Sequence, residues 1–452
     1  MKIIIAGCGK IGSAIISDLT SEGHNIIAID ESPTKLNGVI NRYDIMGVCG
    51  NCANFVTLEE AGVSKADIFV GVTGSDELNM VCCLLARRLG AKHTVARIRN
   101  PEHNPKNLAF LRTQFELSMS FNPEYMVAQE MFNILKLPSA AKIEMFNRRN
   151  FEMIEVKLRA DSPITGLSLK DLRKKTEESF LVCIVERGGE VIIPSGDFVL
   201  QEGDKIGITA SPLSIQKILK KFGITAKATK NVMILGASTT SFYLARMLLN
   251  SGNNVTILEI DKARCERMAE LLPEAVVINS DGASKEALRE AGLNSTDGFA
   301  ALTGMDEVNI LMSYYASTQQ VRKVISKVNR DELLPIADRL NVECTVSTAK
   351  VTSNVILRYV RALHASIDSN VETLYKLMSG AAEALEFEIK NDYPLANMQI
   401  KDMKLKPNVI ISGIIRQRKI IIPSGDDVIM PGDRVIVIAA GQRINKISDI
   451  VK

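Results

Sequence analysis

The run Gly7-Cys8-Gly9-Lys10-Ile11-Gly12 has the spacing G-x-G-x-x-G. It lies between a strand-like run, Ile3 to Ala6, and a helical stretch ending near Ser21. In that context Gly7 allows a tight turn, Gly9 lets the backbone approach a pyrophosphate, and Gly12 lets the helix pack close to the strand. The helix N-terminus then offers unpaired N–H groups to an anion. Asp30 ends the second strand, 18 residues after Gly12, where a carboxylate can accept hydrogen bonds from an adenosine ribose. The pair Asp30-Glu31, with no arginine in the next few residues, repels a 2′-phosphate. The loop therefore suits NAD(H), ATP or ADP better than NADP.

Other residues are expected to close this site. Thr73-Gly74-Ser75 follows the fourth strand and should reach the crevice at the carboxyl ends of the strands. Arg97, near the end of the fifth strand, can reach phosphates with its planar fork; a surface ion pair is its alternative. Asn51 and Cys52, after the third strand, should border the adenine. Asp76 and Asn79 read as capping residues of the helix beginning near Glu77, with Ser75 or Asp76 at its start. Cys49-Gly50-Asn51-Cys52 is a CxxC, but no second CxxC exists and His24, His93, His103 and His364 show no ligand spacing around it. Cys82-Cys83 reads as helix core. No histidine sits in a motif suited to acid–base work, so catalysis is poorly supported.

The chain is a tandem repeat. Val70 to Asn79 recurs as Ala300 to Asn309, Leu58 to Gly62 as Leu288 to Gly292, and Ile193-Pro194-Ser195-Gly196-Asp197 as Ile422-Pro423-Ser424-Gly425-Asp426, each offset by about 229–230 residues. Gly203-Asp204 recurs as Gly432-Asp433. A common offset of that size is duplication of a whole module. In each module, strands alternate with helices, which implies a parallel sheet covered on both faces. A small α+β unit follows, with a hairpin turn at Gly188-Gly189. The expected fold is α/β: two doubly wound parallel-sheet domains, each followed by a small α+β domain. Expected boundaries are 1–120, a connector helix at 121–141, 142–225, 230–345, a second connector at 346–369, and 370–452. In the first connector Asn122 can cap a helix with Pro123 at its first position, and Val127, Met131, Ile134 and Leu135 share a face. That helix packs either on its own domain or across to the other module or a partner subunit. In the second connector, Arg358 and Arg361 read as a solvated face.

The second glycine loop is degraded. Gly236-Ala237-Ser238-Thr239-Thr240-Ser241 keeps only its first glycine, Glu259 replaces Asp30, and Lys327 stands at the Arg97 position. Without the middle glycine, backbone approach to phosphate is less assured.

Length alone, 452 residues, suggests about three domains; the repeat makes it four. Lysines and arginines number 55 against 52 aspartates and glutamates, a net +3, which argues no nucleic-acid partner. The absence of tryptophan weakens any base-stacking surface. The longest uncharged run is 15 residues, Asn231 to Ala245, too short for a membrane span. No leader peptide is apparent, and eight cysteines in so long a chain do not form a disulfide scaffold. A cytoplasmic protein is expected.

The order of domains resembles the TrkA family, whose large and small domains are of the RCK N-terminal and C-terminal types. The landmarks are Ile3 to Gly12, Asp30, Leu58 to Gly62, Thr73 to Glu77 with Asn79, Ala96 to Arg99, and the Ile-Pro-Ser-Gly-Asp…Gly-Asp signature in both small units. The resemblance implies a regulatory subunit, not an enzyme. It implies a homo-oligomeric ring, a dimer or tetramer of the two-module chain, peripheral on the inner face of the cell membrane. The ring would gate a Trk-type potassium-transporting membrane protein in response to NAD(H) or ATP/ADP. Carried over by residue, Gly7 to Ile11, Asp30, Thr73, Gly74 and Arg97 form one site. Gly236, Ala237, Ser238, Thr239, Thr240, Glu259, Thr303, Gly304 and Lys327 form a second. The small units resemble domains that in some relatives bind cyclic di-AMP. Alternatives are regulation of another cation channel or antiporter, or an NAD-dependent oxidoreductase.

Overall fold

The computed structural model describes residues 1–100, 105–136, 142–146, 151–158, 160–223, 229–340, 342, 344–368, 371–378, 381–390, 393, 396–417, 419–442, 444 and 446–451. His103 and the end of the expected first connector, 137–141, lie outside them.

The first module opens with β1 (Lys2–Ala6), α1 (Lys10–Ser21), β2 (Asn25–Asp30), α2 (Pro33–Tyr43), β3 (Met46–Cys49), α3 (Phe55–Glu60), β4 (Ile68–Gly71), α4 (Asp76–Arg88), β5 (His93–Arg97), α5 (Pro105–Gln114), β6 (Met119–Phe121) and α6 (Pro123–Lys136). Its small domain holds β7 (Lys142–Phe146), β8 (Phe151–Lys157), α7 (Leu169–Lys175), β9 (Phe180–Arg187), β10 (Glu190–Ile192), β11 (Lys205–Ala210) and α8 (Pro212–Lys221). The second module repeats the plan with β12 (Asn231–Leu235), α9 (Thr239–Asn250), β13 (Asn254–Glu259), α10 (Lys262–Leu271), β14 (Val276–Asn279), α11 (Lys285–Glu290), β15 (Gly298–Ala301), α12 (Asp306–Thr318), β16 (Lys323–Lys327), α13 (Leu334–Arg339), β17 (Cys344–Val346) and α14 (Thr348–Asp368). It ends with β18 (Val371–Leu377), β19 (Ala382–Glu388), β20 (Val409–Arg416), β21 (Lys419–Ile421) and β22 (Arg434–Ala440).

The sheet orders show why the landmarks repeat. The large sheets run β3-β2-β1-β4-β5-β6 and β14-β13-β12-β15-β16-β17, with every described pair parallel. The order reverses between β1 and β4, and between β12 and β15. That switch point is where a doubly wound sheet binds ligands. The central strands are buried on both faces: Ile3, Ile4 and Ile5 are all fully buried. They therefore read as continuous apolar runs, not alternating ones.

The chain folds as two compact units, 1–132 with 230–357, and 133–229 with 358–452. In the first, the two large domains exchange connector helices. Asn122 caps α6 by accepting the Tyr125 amide at 2.9 Å, while its Nδ2 donates to Tyr243 Oη on α9 at 3.0 Å. The Tyr125 and Tyr243 rings meet edge to face, 5.4 Å apart. Reciprocally, Ser353 on α14 donates to Ala14 O on α1 at 3.2 Å and lies 2.6 Å from Asp18 Oδ2. The helix face Val127, Met131, Ile134 and Leu135 is buried as its spacing predicts.

In the second unit the small sheets run β10-β9-β11-β8-β7 and β18-β19-β22-β20-β21, with every described pair antiparallel. One face of the first sheet packs on α7 and α8 through Ile154, Val156, Leu172, Ile218 and Phe222. The other face, with Met153, Cys183 and Ile184, packs on Ala384, Ile415, Ile436 and Ile438 of the second sheet. Apolar and charged residues alternate from Ile154 to Leu158, yet Glu155 between them is buried. Both sides are buried because the duplicate domain covers the second. Gly188 and Gly189 have φ of 62° and 86°, as a two-residue turn with both centres left-handed requires. Arg361 corrects the expected solvated face: its side chain is largely buried and pairs with Glu383 at 3.6 Å.

Candidate nucleotide site

The first glycine loop leaves the end of α1 open. Gly7 has φ of +111°, and a Cβ there would lie 2.8 Å from the Val72 carbonyl carbon, so only glycine fits. A Cβ on Gly12 would lie 1.8 Å from Gly7 O, which makes this glycine the condition for α1 to start so close to β1. Gly9 differs: a Cβ there meets nothing within 4 Å. Gly9 is the N-cap of α1, and no side chain caps it. The first amides of α1 are thus left for an external acceptor.

Asp30 secures the loop. Its Oδ2 accepts the Cys8 amide at 2.7 Å and its Oδ1 the Ser32 amide at 2.8 Å. Cys8 faces the interior, and burial, then the charge of Asp30, pushes its thiol up to about 12. Gly7, Gly9, Lys10 and Ile11 form one wall of a cavity of about 690 Å³. Ile29, Asp30, Glu31 and Lys35 line another part of it, with Gly50 and Cys52 from the loop after β3. Val72, Thr73, Gly74, Ser75, Leu78 and Arg97 line the rest of it from β4, α4 and β5. The second module contributes Asn329, Thr348 and Ala349.

Arg97 is buried, not a surface ion pair. Its Nη2 donates to Thr73 O, while Nε has no partner. Burial, then the charge of Arg99, lowers its pKa. Asn79 and Asp76 do not cap α4; Ser75 does, accepting the Leu78 amide at 3.1 Å. Asn79 accepts the Thr73 amide at 2.7 Å and donates to Arg97 O at 3.0 Å. Asp76 Oδ2 accepts the Arg99 and Asn100 amides at 2.7 and 2.9 Å. Both side chains face the carboxyl edge of the sheet, so they hold the loops after β4 and β5.

Of the expected first-site residues, Gly7, Gly9, Lys10, Ile11, Asp30, Cys52, Thr73, Gly74 and Arg97 converge on the cavity. Cys8 and Gly12 support the loop from behind. Asn51 turns into its own loop, accepting the Ala53 amide at 2.7 Å. Cys52 lies against Cys82, and that contact with burial pushes its thiol far up, so it stays protonated. No group of three or more metal-binding side chains occurs among the described residues. Sequence reading missed Lys35, which the Ser32-Pro33 helix start places one turn beyond Asp30. It also missed Asn329, Thr348 and Ala349, for which nothing local in the sequence gives a signal.

The second loop keeps the frame and caps its own helix. Gly236 has φ of +96°. Glu259 repeats the work of Asp30, accepting the Ala237 amide at 2.7 Å and the Asp261 amide at 2.9 Å. Asn309 joins Thr303 to Lys327 O as Asn79 joins Thr73 to Arg97. Here, however, Ser238 and Ser241 form a capping box. Ser241 Oγ also donates to Gly236 O at 2.5 Å, and Thr240 is buried. Thr239 is exposed and Gly304 borders open space. Lys327 is half-buried with Nζ 3.2 Å from Leu302 O, and desolvation lowers its pKa.

Residues 3–110 and 232–348 match the TrkA-N domain, and 153–223 and 384–452 match the TrkA-C domain. The chain belongs to the TrkA family. Along its whole length it is 29% identical to the whole Trk system potassium uptake protein TrkA homolog of Archaeoglobus fulgidus. It is 28% identical to Trk system potassium uptake protein TrkA of Haemophilus influenzae, covering 97% of this chain and 95% of that one. Among solved structures, the GsuK channel bound to NAD superposes with a TM-score of 0.64 at 17% identity, over 97% of this chain and 77% of that one. That likeness is one of fold. No described helix is long and apolar enough to cross a membrane.

Proposed function

We propose that this chain is the nucleotide-sensing regulatory subunit of a Trk-type potassium uptake system, not an enzyme. The observation that carries the reading is the uncapped N-terminus of α1, which opens past Gly9 onto a cavity also lined by Arg97. The relatives named as Trk potassium uptake proteins support the transport role. The NAD-bound GsuK channel supports a nucleotide in this fold, and leaves regulation of another cation channel as the second reading.

The donors present fit an NAD(H), ATP or ADP molecule. The α1 amides and Arg97 would hold its phosphates, and Asp30 with Glu31 the adenosine ribose. The second loop, already capped by its own serines, takes no part. The ligand favours one arrangement of a homo-oligomeric ring on the inner face of the membrane, and the ring biases the attached transporter.

Calorimetry on the full chain tests the site. Saturable binding of NAD(H), ATP or ADP is expected, at one molecule per chain. Gly9→Asp has room for its side chain and places an acid before the phosphates, which should weaken binding by at least about a hundredfold. Binding undisturbed by this substitution overturns the site. Co-purification of the chain with its membrane protein separates a potassium transporter from another channel.

A further inference from the structure

The net charge of +3 conceals a segregated surface. Residues 169–178 and 212–222, the two helices of the first small domain with the turn after α7, hold seven lysines and arginines against three acids. That excess of four exceeds the excess of the whole chain. Apolar residues of both helices, among them Leu172, Ile215, Ile218 and Leu219, enter one core. Their outer faces carry Arg173, Lys174, Lys175, Lys217, Lys220 and Lys221, all exposed. Lys221 Nζ lies 2.8 Å from Glu178 Oε2 in the turn after α7. That ion pair brings the basic C-terminal ends of both helices into one patch.

The duplicate domain repeats this surface only in part: Lys401, Lys404 and Lys406 stand where Lys170, Arg173 and Lys175 do, but the three lysines of α8 have no such match. After its equivalent strand, β22, stands the short segment Ile447–Ile450, which holds Asp449 and no cation. The apolar core survived duplication in both copies, so the fold does not require the lysines of α8.

We propose that the α7–α8 face docks on the anionic lipid headgroups of the membrane's inner leaflet. The proposal rests on the reading that the protein works at that membrane. The inner leaflet is negatively charged and attracts clusters of this size. Cytoplasmic loops of membrane proteins carry an excess of lysine and arginine and would repel it. The exposed faces of α7 and α8 present no aromatic side chain for stacking bases.

The test is co-sedimentation of the full chain with vesicles of phosphatidylcholine, alone or with about 30% phosphatidylglycerol, in about 0.1 M salt. The triple variant Lys175→Glu, Lys217→Glu, Lys220→Glu is compared with Lys390→Glu, Lys404→Glu, Lys419→Glu, three exposed lysines of the second small domain. Both triples change net charge equally. Wild type and the second triple should sediment with the anionic vesicles and be released by added salt. The first triple should bind at least about tenfold more weakly, with an unchanged thermal midpoint. Equal binding to neutral vesicles, equal loss in both triples, no loss in the first, or stronger retention on DNA than on the vesicles would each overturn the proposal. The vesicles contain no transporter, so failure here leaves the nucleotide and potassium readings standing, and their failure leaves this result standing.

Discussion

Ser238 and Ser241 cap each other across the first turn of α9, their hydroxyls 2.9 Å apart. Gly9 and Gly12 hold the same places in α1 with no side chain at all. Two copies of one loop thus make opposite use of a helix N-terminus. In α9 the Ser241 amide is satisfied by Ser238, and in α1 no side chain caps the first amides. The serines that replace the glycines therefore satisfy in the second loop groups that the first loop leaves without a side-chain partner.

Gly9→Ser should move the first loop toward the second. Gly9 already has N-cap dihedrals, φ −70° and ψ −173°. A serine there gains the cap without strain and stabilises the ligand-free protein by about a few tenths of a kcal/mol. The same hydroxyl competes with phosphate for the α1 amides. Thermal melts should show a slightly higher midpoint without nucleotide and a smaller upward shift with it. A larger shift with nucleotide would refute the competition.

Gly12→Ala and Ser241→Ala probe the same position for different reasons. The first forces a Cβ against Gly7 O and should cost about 3 kcal/mol through overpacking. The second introduces no clash but strands the Gly236 carbonyl and half a capping box, costing about 1–2 kcal/mol. Urea unfolding followed by far-ultraviolet circular dichroism suits a chain without tryptophan. Equal costs would mean that the two loops are packed alike.

Tyr243→Phe tests the crossing of α6. The phenol accepts from Asn122 Nδ2 at 3.0 Å and donates to Arg99 O at 3.3 Å. Its loss should destabilise the first unit by about 1 kcal/mol. Because Arg99 follows Arg97 by two residues, nucleotide affinity should fall modestly as well. Unchanged stability would show that the edge-to-face ring contact alone holds the helix.

The local parts of this architecture were legible in the sequence. The β1-α1-β2 unit, Asp30 at the end of β2 and the Gly188-Gly189 turn each depend on neighbours a few residues away, and each leaves a pattern. What escaped depends on the other module. Nothing near Ile154 tells that both faces of its strand are buried, because the second sheet supplies the cover. Arg361 looks solvated until Glu383 is brought beside it. Asp76 and Asn79 were misread because they sit where caps sit, yet their partners lie on the next strand. Thr348 and Asn329 reach the cavity only through the exchange of connector helices.

The Gly-Asp repeat of the small domains makes a last, pH-dependent prediction. Asp204 is buried, and its two oxygens accept Arg187 Nε and Nη2 at 2.7 Å each. Asp433 and Arg416 repeat the fork at 2.8 and 2.7 Å. Burial opposes the charge of Asp204, but the Arg187 bonds and the Gln201 amide outweigh it and hold its pKa below the usual carboxylate range. An acid whose pKa is lowered by folding stabilises the protein above its unfolded value, about 3.9, and loses that contribution as pH falls through the folded value. Asp204→Asn should cost about 2 kcal/mol near neutral pH, where charge-assisted bonds to Arg187 are lost. Asp67, beside Lys92, and Asp297, beside Arg322, are also lowered, so wild type and variant alike weaken in acid. The informative quantity is the difference between their urea midpoints. It should shrink steadily below about pH 4, as Asp204 of the wild type takes up its proton. A difference constant down to pH about 2 would show that the fork works by shape and not by charge.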